Sequence, residues 1–167
     1  MQKVNRPQGK WRNVVFGCVG LLVILVDQLS KAWIRNNLAW GQSIFDVGFF
    51  QILHIHNTGA AFGILKGHSL TLTIVDFVGI VVILLLVFVF RSRWSFLDSM
   101  LVMSAIGMVM GGTIGNLIDR LYLGYVTDFL DFRVWPVFNV ADSAVTVGVI
   151  IIAYCLICLA QSAKHQE

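Results

Sequence analysis

A chain of 167 residues that is 57% hydrophobic and only 13% charged lies far below the roughly one-quarter charged content of a soluble domain. A net charge of +3 is too small to point to nucleic acid as a partner. The composition is that of an integral membrane protein, and residues 1–167 are read as a single membrane-embedded domain.

A hydrocarbon core about 30 Å thick is crossed by about 20 apolar residues in a helix. Four stretches meet that length: 14–32, 70–90, 97–117 and 140–159. Lys3, Arg6, Lys10 and Arg12 precede the first span, Arg91 and Arg93 separate the second from the third, and Lys164 follows the fourth. Basic residues concentrate on the cytoplasmic side of membrane proteins. Both termini are therefore expected in the cytoplasm, with residues 33–69 and 118–139 facing outward. The basic start and apolar run resemble a signal peptide. However, no small-x-small cleavage site follows, and Asp27 and Lys31 sit where one would fall. An uncleaved first helix is expected. Cys18, Cys155 and Cys158 all lie inside predicted spans with no His or acid near them in sequence. Cys155-x-x-Cys158 is read as two packing residues rather than a redox or metal pair.

Between the first two spans, SIFDVGFFQILHIH at 43–56 partly alternates apolar and polar residues around Gly48. That pattern predicts short strands or a hairpin lying on the membrane as a small β platform, followed by a turn at Asn57–Gly59. In the third span Gly107, Gly111 and Gly115 share one helical face, where small residues let another backbone approach closely. This places the third span centrally in the bundle. Gly124 is a stop signal for it, and Asn139-Val-Ala-Asp142 is a capping signature for the fourth.

Ionisable groups in a membrane segment are costly and by default mark a site. Asp27 and Lys31 fall near the outer end of the first helix, and Asn116, Asp119 and Arg120 at the outer end of the third. Asp142 is in the first turn of the fourth, with Asn57 and Asp128 in the outward segments. Separate parts of the chain thus deliver polar groups to one level, the outer interface. Structural readings stand beside the functional one. Asp27 and Lys31 are spaced to pair on a helix face, Asp119 and Arg120 to form an ion pair that ends a helix. Asp76 has no evident partner and is read as packed or water-facing. Asp46, Asp98 and Asp131 are read as surface charges. His54 and His56 share a strand face, but a third metal ligand is not evident.

No G-x-S-x-G and no H-E-x-x-H occurs. What remains at the interface is carboxylate, amide and guanidinium. Paired aspartates hydrolyse a difficult bond by dividing the work: one ionised to activate water, one protonated to donate a proton. Two carboxylates about 5 Å apart at an effective dielectric of about 20 repel by roughly 3 kcal/mol, or about two pKa units, enough to leave one proton shared between them. Asp142 at a helix N-terminus favours the ionised form. Asp128 has no adjacent cation, whereas Arg120 follows Asp119. A pair of Asp128 with Asp142 is physically reasonable on these grounds, and Asp119 with Asp142 stays equally open.

These residues fall in stretches that resemble the motifs of the prolipoprotein signal peptidases, the type II signal peptidases of bacteria. DQLSK at 27–31, NTGAAFGIL at 57–65, GGTIGNLIDR at 111–120 with GYVTDF at 124–129, and FNVADSAVTVG at 138–148 follow the family's order across almost the whole chain. Thr127 stands where an aliphatic residue is common, and the connection from Asp128 to Asp142 is short for the family.

The resemblance implies an intramembrane aspartic endopeptidase that cuts a diacylglyceryl-modified prolipoprotein on the amino side of its lipidated cysteine. It implies Asp128 and Asp142 as the catalytic pair, with Asn57, Asn116, Arg120 and Asn139 lining the site and holding the substrate backbone. Asp27, Lys31, Gly59 and Asp119 would support it. It implies no metal and no cofactor, globomycin-type cyclic peptides as inhibitors, and a bacterial inner-membrane location in contact with lipid. A monomer is expected. The readings weighed against it are a small ion- or proton-coupled transporter, whose site would lie near the midplane, and a non-catalytic scaffold built on the third-span glycines.

Overall fold

The structure, a computed structural model, describes residues 8–59, 67–90 and 93–164. Lys3, Arg6, Arg91 and the 60–65 portion of the second motif lie outside them, as do the side chains of Lys10 and Lys164. Helix α1 is Gln8–Asn37, α2 Ser69–Leu85 with a π-helical turn Leu86–Phe90, α3 Met100–Leu123 and α4 Val140–Lys164. Among the described residues these are the four helices long and apolar enough to cross a membrane. They match the predicted spans and extend most of their ends, but α3 starts at Met100 rather than at 97, because Ser95–Asp98 form a separate 3-10 turn before it.

The third helix is the least apolar and the most buried of the four. Most of its positions face protein rather than lipid, so fewer of them need a hydrocarbon-compatible side chain. The glycine face is in contact with α1: a Cβ at Gly111 would sit 2.5 Å from the Gly20 carbonyl oxygen. One helical turn on, a Cβ at Gly115 would sit 2.5 Å from Asp27 Oδ2. Here the missing side chain makes room for a carboxylate rather than for a backbone. Away from the sheet, Phe16, Val87, Val102, Met103, Ile106 and Met110 close an apolar core.

The predicted hairpin forms from β1 (Ser43–Ile44) and β2 (Gln51–Asn57), with Gly48 in the turn at φ 84°. A third strand, β3 (Val126–Asp131), was not anticipated and completes an antiparallel sheet of order β1-β2-β3. Val126, Thr127 and Phe129 favour strand. The periodic signal is missing because β3 is buried at nearly every position, so its residues do not alternate. Gly124 ends α3 in a left-handed conformation, φ 78°, as expected, and turns the chain straight into β3. Phe129, Ile34 and Leu38 pin the strand to the end of α1. Beyond β3 the chain doubles back. Phe138 exchanges backbone hydrogen bonds with Leu130, 2.8 and 3.1 Å long, which returns Asn139 to the side of Asp128.

Asp131 is not a surface charge. It is 8% exposed, accepting from Gln51 Nε2 at 2.7 Å and from the Arg133 backbone N–H at 2.7 Å. Closing the last sheet pair, Gln51 with Asp131, carries it inside. Asp46 and Asp98 do keep about half of their side chains exposed, each paired with an arginine, Arg133 and Arg12.

Candidate active site

The polar residues converge where β3, α3 and α4 meet. Asn139 caps α4: its Oδ1 accepts from the Asp142 N–H at 2.9 Å, and Asp142 Oδ2 accepts from the Asn139 N–H at 3.2 Å. This is the reciprocal box predicted from sequence. Its second effect concerns Asp128. The Asn139 side-chain amide donates to Asp128 Oδ1 at 2.7 Å, so one fully buried residue touches both carboxylates. Asn57, opposite Val126 in the sheet, donates to Asp128 Oδ2 at 2.8 Å. Its own oxygen is held by the Gly59 N–H at 2.9 Å, which forms the expected turn. Asn116 donates to Asp142 Oδ1 at 2.8 Å. Each aspartate thus has both oxygens fixed.

Asp128 is 1% exposed. Burial, and then the nearby Asp142 charge, push its pKa up to about 7, because both disfavour a second negative charge in a dry site. The amides of Asn57 and Asn139 oppose this without reversing it.

A buried ionic layer lies beneath. Lys31 Nζ is 2.8 Å from Asp27 Oδ2, donates to Asn116 Oδ1 at 2.8 Å and is 3.7 Å from Asp119 Oδ2. Lys31 and Asp27 are both fully buried. The i, i+4 pairing foreseen on α1 exists, and it also braces the site: Asp27 Oδ1 accepts from the Ala141 N–H at 2.9 Å, tying α1 to the start of α4. Asp119 accepts from the Thr127 N–H at 2.9 Å and so holds the residue before Asp128.

Asp119 does not pair with Arg120. Successive helix residues point about 100° apart, and Asp119 turns toward Lys31 and Arg35 while Arg120 turns toward α2. There Arg120 Nη1 meets Asp76 Oδ2 at 2.5 Å. Asp76 therefore has a partner, contrary to expectation. It lines, with Asn57, Gly59, Asn116, Arg120, Asp128 and Asp142, a cavity of about 770 Å³ whose wall is mostly apolar. The sequence reading also missed Arg35, which donates to Thr127 Oγ1 at 3.0 Å, and Gln28, which donates to the Gly115 carbonyl at 3.0 Å. Arg35 lies at the end of an apolar helix, a position open to a snorkelling surface cation, and only the unpredicted β3 brings a partner to it. His54 and His56 do share a face, their ring centres 5.0 Å apart. His54 Nδ1 is bound to the Leu38 carbonyl at 2.9 Å.

Comparison with known proteins gives concordant results. A family profile described as Signal peptidase (SPase) II matches residues 19–158. A lipoprotein signal peptidase of Dehalococcoides mccartyi strain CBDB1 is 49% identical over 139 residues, covering 83% of this chain and 86% of that protein. The lipoprotein signal peptidase of Moorella thermoacetica is 43% identical over 143 residues, covering 85% and 92%. A bacterial membrane enzyme solved by the in meso method at 2.3 Å resolution superposes with a TM-score of 0.73 at 28% identity, covering 90% of each chain.

Proposed function

The chain belongs to the signal peptidase II family of membrane proteases, and from that premise we propose that it is an aspartic endopeptidase whose catalytic pair is Asp128 and Asp142. Its substrate is a diacylglyceryl prolipoprotein, cut on the amino side of the lipidated cysteine. The observation that carries this reading is the placement of both carboxylates on the wall of one cavity, joined through Asn139.

The two acids differ in ways that assign their roles. Asp128, buried and neutral up to about pH 7, is the acid that protonates the scissile amide. Asp142, in the first turn of α4, sits where the helix N-terminus favours negative charge. It is the base that takes a proton from the attacking water. Asn57, Asn116 and Asn139 hold the carboxylates in register. Arg120, on the cavity wall, supplies N–H donors to the substrate backbone. The apolar wall suits an acylated segment that leaves the lipid only at its peptide. Basic residues at both ends of the chain and between the second and third spans support a reading in which the termini are cytoplasmic and the cavity lies near the outer face of the inner membrane.

Purified protein acting on a diacylglyceryl prolipoprotein tests this. Asp128→Asn and Asp142→Asn should each lower cleavage by at least about 10²-fold while leaving the protein folded and inserted. Cleavage at near wild-type rate by either variant would refute the reading. A pH–rate profile adds a sign. The acid must be protonated, so the rate should fall as pH rises through about 7, the value for Asp128. A rate still climbing at pH 9 would remove Asp128 from the role of acid.

A further inference from the structure

Asp76 is the sole ionisable residue of α2 between Ser69 and Leu85, in a helix otherwise apolar enough to meet lipid on most sides. An ionisable group so placed calls for a functional account. Its side chain is 18% exposed, that of its partner Arg120 is 10% exposed, and the two join across the α2–α3 contact at 2.5 Å. Both line the cavity that holds Asp128 and Asp142.

The charges facing that cavity are few. Asp76 comes from α2, Arg120 from α3, Asp128 from β3 and Asp142 from α4. Lys31, from α1, is engaged behind the wall by Asp27 and Asn116, and Asp119 faces Lys31, Arg35 and the Thr127 N–H. Among the described residues Arg120 is thus the one cation lining the cavity, with three carboxylates. Asp76 is also within electrostatic range of Asp142. A guanidinium free to choose would settle on the catalytic pair, where two carboxylates sharing one proton offer a bidentate seat. There it would favour loss of the shared proton and block the place of the attacking water.

We propose that Asp76 is a positioning residue that clasps Arg120 against α2, holding the guanidinium off the Asp128–Asp142 pair and leaving its other N–H groups for the substrate backbone. The inference rests on the catalytic reading given above. It assigns Asp76 no contact with the reacting atoms.

The test compares pH–rate profiles of the full chain, purified in lipid-containing micelles, on a diacylglyceryl prolipoprotein. Asp76→Asn keeps the shape and removes the charge. It should move the basic limb down by about one pH unit, because an opposite charge brought close to an acid lowers its pKa by about 1–3. Cleavage at pH 7 should fall accordingly by about fivefold, approaching about tenfold at higher pH, and Asp76→Glu should restore the limb. A merely structural ion pair predicts otherwise: Asp76→Asn would melt earlier and keep the wild-type limb, and that result overturns the proposal.

Asp76→Asn alone leaves Arg120 unpaired and could misfold, so the same change is also made in Arg120→Gln. With no guanidinium to redirect, Asp76→Asn should then leave the limb where Arg120→Gln puts it. A further shift of about one pH unit in that background, beyond the small direct effect of removing the Asp76 charge, refutes the proposal even without the single variant. Undiminished cleavage by Asp128→Asn would instead defeat the underlying catalytic reading, so the two failures are distinguishable.

Discussion

The two halves of α3 are held by different physics. From Val102 to Met110 its buried residues are aliphatic, thioether or glycine, packed with Phe16 and Val87. From Gly111 to Asp119 they are glycine, amide and carboxylate, facing Asp27, Lys31 and Asp142. In lipid the apolar half gains little from hiding its side chains, since hydrocarbon is as apolar as a neighbouring helix, and close packing alone holds it. The polar half is held by bonds whose partners have nowhere else to go. An unmade hydrogen bond or unpaired charge there keeps its full desolvation cost. One half should therefore tolerate exchange of shape for similar shape, and the other should not tolerate loss of a single partner.

The largest effect is expected at Lys31. It is the cation for Asp27 and lies near Asp119, two carboxylates that are 0% and 1% exposed. Lys31→Met keeps the reach of the side chain and removes the charge. Breaking one member of a buried pair costs about 3–5 kcal/mol, and reversible denaturation in mixed micelles should read a loss of that size. Activity should fall as well, because Asn116 Oδ1 loses the shorter of its two donors, Lys31 at 2.8 Å, and keeps only Asn139 at 3.1 Å to orient it toward Asp142. Stability within about 1 kcal/mol of wild type would show that the polar half tolerates loss of a partner after all, contrary to the cost of an uncompensated buried charge.

The sequence made parts of this site legible and left others unreadable. The spans, the Gly124 stop and the Asn139–Asp142 box are local signals, carried by hydropathy and by spacings within one turn. The level at which Asp27, Asn116, Asp128 and Asp142 meet followed from counting along each span. Pairings decided by tertiary contact did not follow. Arg120 looked available to its neighbour Asp119, but a helix separates adjacent side chains by more than a quarter turn. Only the packed position of α2 shows that Asp76 receives Arg120. Strand β3 was unreadable because burial on both faces erases alternation, and with it went Arg35, Thr127 and the burial of Asp131. The choice between Asp119 and Asp128, left open by charge reasoning and tipped by the family motif, has a geometric counterpart. Asp119 is committed to Lys31, Arg35 and the Thr127 N–H, while Asp128 borders the cavity.

Thr127 gives a graded test within the polar half. Its hydroxyl accepts from Arg35 Nη1 at 3.0 Å and is fully buried. Its backbone N–H, not its side chain, is what Asp119 holds. Thr127→Val removes the first bond and leaves the second. Arg35 keeps Asp119 at 3.4 Å and is a quarter exposed, so water can serve its freed N–H. The expected loss is about 1 kcal/mol, read by the same denaturation, with cleavage close to wild type. A loss as large as that of Lys31→Met would mean that the hydroxyl, rather than the backbone, fixes the strand that carries Asp128.

The smallest effect belongs to the apolar half, and it tests whether the two halves are separable. Met103 is 0% exposed among Phe16, Val87, Val102 and Ile106. Met103→Leu nearly conserves volume, and such exchanges cost less than about 1.5 kcal/mol. Cleavage and the basic limb of the pH profile should both stay at their wild-type values, because no hydrogen bond of the site reaches that turn of α3. A rigid helix nevertheless transmits displacement along its axis. If the core repacked by sliding α3 against α1, Gly115 would drive into Asp27 Oδ2, and the layer beneath the catalytic pair would shift with it. A change of the pH limb on Met103→Leu would therefore mean that the glycine face couples the two ends. An unchanged limb with a slightly lowered melting temperature would mean that the apolar half acts as a frame and the polar half sets its own geometry.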